Sequence, residues 1–125
     1  MRLAALIFAV VLNSFAEAKG LLTGTWRLVR VETIRPNGEV IPSFLGKNPR
    51  GIIMYLPNGF MSVQITGDPP ARTKGPFEEA SDAEKKAVAE GYYAYYGRYE
   101  VDEKKGAVTH HVEASLRPHE VGIDY

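Results

Sequence analysis

The chain has no cysteine, no Asn-x-Ser/Thr sequon, no net charge and no apolar run long enough to cross a bilayer. Without cysteine there is no disulfide framework, so the folded state rests on a packed core. Fifteen basic residues are balanced by fifteen acidic ones along the chain. That denies the protein the basic face that neutralises nucleic-acid phosphates, and it leaves little attraction to an anionic membrane. The expected partner is small or uncharged. Ser-His-Asp spacing, a Gly-rich phosphate loop, His-Glu-x-x-His and a dinucleotide fingerprint are all missing. No cofactor is called for, and any catalysis has to proceed without one.

What is present begins with Arg2, an apolar run from Leu3 to Leu12, and then Ser14-Phe15-Ala16 and Ala16-Glu17-Ala18. Charged, apolar and small residues in that order read as a secretory signal peptide. The run is short of the about 20 apolar residues a membrane span needs, so no stable membrane insertion is expected. The lipid-bearing cysteine of a bacterial lipoprotein is missing after the cleavage site. The reading is a leader over residues 1–18 and one domain over 19–125, periplasmic or secreted. A retained anchor or a buried first helix is the alternative.

Downstream, the pattern is mostly of strands. Thr25 to Ile34 is rich in β-branched and apolar residues and ends at Arg35-Pro36-Asn37-Gly38, a turn. An extended piece around Val40-Ile41-Pro42 leads into a Gly/Pro-punctuated loop, Leu45 to Gly51. Ile52 to Leu56 and Phe60 to Thr66 flank a second turn, Pro57-Asn58-Gly59. In the latter strand Met61, Val63 and Ile65 share one face and Ser62, Gln64 and Thr66 the other. After a proline-rich crossing, Ser81-Asp82-Ala83-Glu84 forms a capping box, and the pattern predicts a helix to about Tyr92 or Tyr95 with Ala83, Ala87, Val88, Tyr92 and Tyr95 buried. Gly97 is expected to break it. A strand follows through Tyr99 and Val101, then a turn at Lys104-Lys105-Gly106. In the last strand Val108, His110, Val112, Ala114 and Leu116 share one face, opposite Thr109, His111, Glu113 and Ser115. The fold class is mainly β: about six antiparallel strands with one inserted helix, most simply an up-and-down meander that curls into a barrel.

Four segments carry a resemblance. Gly24-Thr25-Trp26-Arg27-Leu28, Asn48-Pro49-Arg50-Gly51 leading into Ile52-Ile53-Met54-Tyr55, Tyr95-Tyr96-Gly97-Arg98-Tyr99-Glu100-Val101, and Val108-Thr109-His110-His111-Val112-Glu113 with Pro118 and Gly122 together resemble the bacterial and fungal lipocalin-like domain family. The resemblance implies a small calycin-type barrel around an apolar cavity. Members of that family continue past the position of Tyr125 with barrel-closing strands, so the resemblance also implies a barrel incomplete at its C-terminal end. An edge strand left unpaired in this way is a site for a homodimer. Classical lipocalins carry their helix after the last strand, and their ligands do not transfer.

Several residues could carry chemistry. His110 and His111 are adjacent, so on a strand they face opposite ways and cannot share one metal; no metal site is expected. His110, on the apolar face, could act as acid, base or hydrogen-bond donor, or be held by a neighbouring tyrosine or carboxylate for the sake of the fold. His111 and Glu113 read as an exposed pair, and Trp26 as a plug for the narrow end of the barrel. Arg50 could gate a cavity mouth or bind an anionic group, or it could stack on Trp26. Tyr92, Tyr95 and Tyr99, at helical spacing, could line a lid or simply pack a helix end. The candidate ligand-binding set is therefore Arg50, Tyr55, Tyr92, Tyr95, Tyr99 and His110. The leading expectation is an exported protein that binds a small hydrophobic or aromatic molecule inside its barrel. The alternatives are a cofactor-independent isomerase, cyclase or hydrolase using His110 as acid or base with Tyr99 or Arg50 at an enolate-like oxygen, and an interaction module pairing through its open edge.

Overall fold

A computed structural model describes residues 18–125. The leader expected over residues 1–18 lies outside the described residues except for Ala18. Among the described residues there are seven strands: β1 (Gly24–Arg27), β2 (Glu32–Ile34), β3 (Val40–Pro42), β4 (Arg50–Tyr55), β5 (Phe60–Thr66), β6 (Tyr92–Asp102) and β7 (Ala107–Ser115). The helices are a short α1 (Ala18–Leu22) and α2 (Asp82–Glu90).

The described residues form two compact units, one of Leu28–Gly51 with Ile65–Tyr93 and one of residues 18–27 with Ile52–Gln64 and Ala94–Tyr125. In the first, β2 and β3 make an antiparallel hairpin across the predicted turn, where Gly38 N–H donates to Arg35 at 2.8 Å. The capping box is present: Ser81 Oγ accepts from the Glu84 amide, and the Glu84 carboxylate accepts from the Ser81 amide at 2.9 Å. The helix stops earlier than predicted. Gly91 caps it, and Tyr92 to Asp102 are strand, because an aromatic-rich run favours a pleated surface once glycine has ended the helix. No residue of α2 is buried, so the small-residue stripe assigned to it does not pack a core. The buried apolar side chains of this unit include Val31, Leu45, Ile65 and Tyr93, with Phe44 edge-on to Tyr93 at 6.0 Å.

The second unit is built on a five-stranded sheet of order β1-β4-β5-β6-β7. β1 pairs antiparallel with β4, Trp26 opposite Ile53 and Gly24 opposite Tyr55. The single strand expected from Thr25 to Ile34 is thus two: Leu28 N–H still donates to the Gly51 carbonyl of β4, in register with the β1–β4 pairing, and the chain leaves the sheet beyond it. β4 and β5 are joined by the predicted Pro-Asn-Gly turn, in which Gly59 has φ 89° and donates to Leu56. The inner face carries Ile53, Tyr55, Met61, Val63, Tyr95, Tyr99, His110 and Val112, all buried; alternation predicted Met61, Val63, His110 and Val112 there, whereas Tyr95 was expected on a helix.

The sheet is open, with β1 and β7 at its ends. The edge of β7 is nonetheless partly covered. Gly122–Tyr125 doubles back along it, His110 and Tyr125 exchanging both backbone hydrogen bonds (2.9 and 3.0 Å) and Val112 bonding Ile123 and Gly122. A bulge lies in the β6–β7 pairing: Tyr96 faces Ala114 but Gly97 faces Val112, so Glu113 has no counterpart. Gly97 therefore does not break a helix. It sits in mid-strand where a Cβ would run into the His111 carbonyl, the close backbone approach for which a strand glycine is suited.

Candidate functional site

The bulge decides which side chains meet. Up to Val112 the alternation of β7 is regular and His110 is turned inward, directly opposite Tyr99 on β6. Past it the alternation slips by one, so Ser115 rather than Ala114 lies opposite inward-facing Tyr95. The expected inner face of Val108, His110, Val112, Ala114 and Leu116 is accordingly corrected at its C-terminal end.

On this face His110 is held between two phenols. Tyr55 Oη lies 2.7 Å from Nε2 and Tyr95 Oη 2.8 Å from Nδ1, and all three side chains are buried. Tyr99 packs edge-on against Tyr55, ring centroids 4.9 Å apart, and donates its own hydroxyl to the Leu56 carbonyl at 2.8 Å. Tyr125 brings its ring within 6.0 Å of Tyr95 and remains exposed. Ser115 Oγ donates to the Glu120 carboxylate at 2.9 Å, and Glu120 is buried in the turn Pro118–Glu120.

Burial sets the electrostatics. It pushes His110 down to about 4, helped by the neighbouring His111, so the imidazole is neutral at pH 7 and carries one ring proton. Both phenols are pushed well above the ordinary tyrosine value, mainly by burial. For Tyr55 the second cause is Tyr99; for Tyr95 the further causes are Tyr55, Tyr125 and the Glu120 charge. The array therefore offers neutral hydrogen-bonding groups within an apolar wall rather than charge.

Of the six residues expected to bind a ligand, Tyr55, Tyr95, Tyr99 and His110 come together here. Arg50 and Tyr92 fall in the first unit, Arg50 exposed at the start of β4 and Tyr92 half-buried at the start of β6. The lid spacing fails because the tyrosines belong to a strand: Tyr93, Tyr95 and Tyr99 share the buried face, and Tyr92 does not. Trp26 is half-buried, and its indole N–H donates at 2.7 Å to the carbonyl of Leu22, the last residue of α1. It ties that helix to β1. His111 does not pair with Glu113. It bonds Asp124 at 2.7 Å and lies 3.2 Å from Glu100, while Glu113 pairs with Arg98. Ser115 and Glu120 escaped the sequence reading; the one signal for them was a glycine inside a strand pattern, which marks a bulge. Among the described residues, no group of three or more His, Asp or Glu side chains is placed to hold a metal ion.

No curated protein and no solved structure matches the chain. The lipocalin-like domain family matches residues 23–124, a span that takes in every strand and the whole Tyr–His–Tyr array. The match covers most of the chain, and the open antiparallel sheet is consistent with it; the chain belongs to the lipocalin-like domain family.

Proposed function

We propose that this is an exported protein that binds a small hydrophobic or aromatic molecule on the inner face of its sheet, with Tyr55, His110 and Tyr95 as the polar pole of the site. Family membership supplies the general part of this reading, a fold suited to small ligands. The observation that carries the specific part is the buried hydrogen-bonded array itself. Buried polar groups cost stability unless hydrogen bonds satisfy them, and the two hydrogen bonds within the array both offset that cost and fix the direction of its polar atoms. Aromatic walls with a few fixed polar atoms are the common lining of small-molecule sites. Export rests on the charged, apolar, small-residue order of residues 1–18. No described helix is long and apolar enough to cross a membrane.

The geometry favours binding over the enzymatic alternative. Both imidazole nitrogens are engaged by phenols. The Tyr99 hydroxyl, cast as an oxyanion donor, is committed to Leu56. A histidine held near 4 is also a weak base at neutral pH.

Native mass spectrometry of the protein purified from its own source tests the reading. A single small molecule retained per folded chain is the expected result, with the N-terminus of the same species reporting whether the leader is removed. Chains that are empty in every preparation and show no saturable uptake of apolar probes overturn it. The spectra also separate monomers from homodimers paired through an open sheet edge.

A further inference from the structure

The array holds three protons and two internal hydrogen bonds. With His110 neutral, either Tyr55 donates to Nε2 and Nδ1–H donates to Tyr95, or Tyr95 donates to Nδ1 and Nε2–H donates to Tyr55. In the first arrangement the spare O–H belongs to Tyr95 and Tyr55 shows the outside a lone pair. In the second, Tyr55 holds the spare proton and is a donor.

Glu120 breaks the tie. The bulge at Glu113 sets Ser115 opposite Tyr95, and Ser115 Oγ holds the Glu120 carboxylate at 2.9 Å, 7% exposed. The carboxylate thus stands at the Tyr95 end of the array. Its charge acts on the Tyr95 phenol, whereas Tyr55 responds to burial and to Tyr99. A phenol oxygen that turns its lone pairs toward a buried carboxylate is repelled, and one that turns its O–H toward it is stabilised by a charge-assisted interaction. Tyr95 therefore keeps its proton on the Glu120 side and takes the hydrogen bond from His110. Among the described residues, the Tyr55 hydroxyl bonds His110 alone, which leaves its oxygen with acceptor capacity.

We propose that Glu120 fixes His110 as the Nδ1–H tautomer, so that the array meets its ligand as an acceptor through the Tyr55 oxygen and selects apolar molecules that carry a hydroxyl or N–H donor. The ligand class rests on the binding reading above; the tautomer does not. Glu120 acts here as a positioning residue, through Tyr95 and His110.

Nitrogen-15 NMR of the full chain at pH 7 reads the tautomer directly. The expected spectrum has the His110 proton on Nδ1 in the native protein and a population moved toward Nε2–H in Glu120→Gln. A native Nε2–H tautomer overturns the proposal, and so does an unmoved tautomer in the variant. Because the native spectrum alone decides the first point, a variant that fails to fold does not block the test. The ligand class is read with two probes of similar shape, 2-naphthol and 2-methoxynaphthalene. We expect the donor-bearing probe to bind about tenfold tighter, with the difference erased in Tyr55→Phe. Equal affinities overturn the donor preference. A native Nδ1–H tautomer with neither probe bound upholds the proton arrangement and overturns the binding reading beneath it.

Discussion

His110 and His111 are neighbours in sequence and opposites in every physical respect. His110 points inward, is buried, gives both nitrogens to phenols and is pushed down to about 4. His111 points outward, lies between Glu100 of β6 and Asp124 of the C-terminal segment, and is pushed upward by its hydrogen bonds to those carboxylates, Asp124 first. One residue step on a strand exchanges an apolar wall for an acidic one. The residue type decides little, and the face on which it stands decides its charge and its role.

The largest expected effect comes from removing the inner member of the pair. His110→Ala leaves a cavity and two buried phenols without their shared partner, and should lower the stability by about 3 to 5 kcal/mol in chemical denaturation. His111→Ala should leave the midpoint nearly unchanged, because solvent replaces its partners. Equal losses would erase the distinction between the two faces.

The same pair should titrate with opposite signs. The folded state disfavours protonating His110, so its contribution is intact above the ordinary histidine value of 6.5 and is lost as pH falls through about 4. Over that window the unfolded chain binds the extra proton, and the loss amounts to about 3 kcal/mol. His111, with its folded value raised, contributes below the unfolded value, and that contribution fades as pH rises through the folded one. Stability measured against pH in His110→Phe should lose the acid-side fall, and in His111→Gln the weaker alkaline-side decline.

Much of this was legible in the chain. The alternation at Met61, Val63 and Ile65 located the dry face, and the same logic turned His110 inward and His111 outward. Both Pro-Asn-Gly turns and the Ser81–Glu84 cap form where their chemistry requires them. What failed did so through register. Tyr95 and Tyr99 are four apart and share a face in either a helix or a strand; Tyr92 shares it only in a helix, and Gly91 ends the helix first. A bulge consumes one residue of alternation without any mark on β7 itself. Ser115 therefore read as outward-facing, and Glu120, placed by a turn after the strand, could not be assigned to any face. Arg50 looked suggestive beside Pro49 and Gly51, yet turn neighbours fix a backbone path and say nothing of where a long side chain ends.

Gly97 joins the two faces, since the bulge beside it carries Ser115 inward. In Gly97→Ala the new methyl group would meet the His111 carbonyl and the Glu113 amide, both backbone. The strand has to shift to admit it, at a cost of about 2 kcal/mol. The sharper readout is the array. If the bulge positions Ser115 and Glu120, the His110 tautomer ratio should change in this variant, while a loss of stability with an unaltered ratio would separate the bulge from the site.

The smallest effect should come from Asp124→Asn, which removes one of the two carboxylates raising His111. The global midpoint should barely move, because the group is exposed and its pair is screened by solvent. The local consequences are more telling. The His111 titration should move down toward 6.5, Glu100 alone now supporting its charge. The Tyr125 amide, which donates to the His110 carbonyl at 3.0 Å, should exchange faster with solvent, since the C-terminal segment loses its outer side-chain tie to β7. His110 should titrate as before. A parallel move of both histidines would mean that the Asp124 charge itself reaches the inner face, beyond the His111 charge that already helps to lower His110.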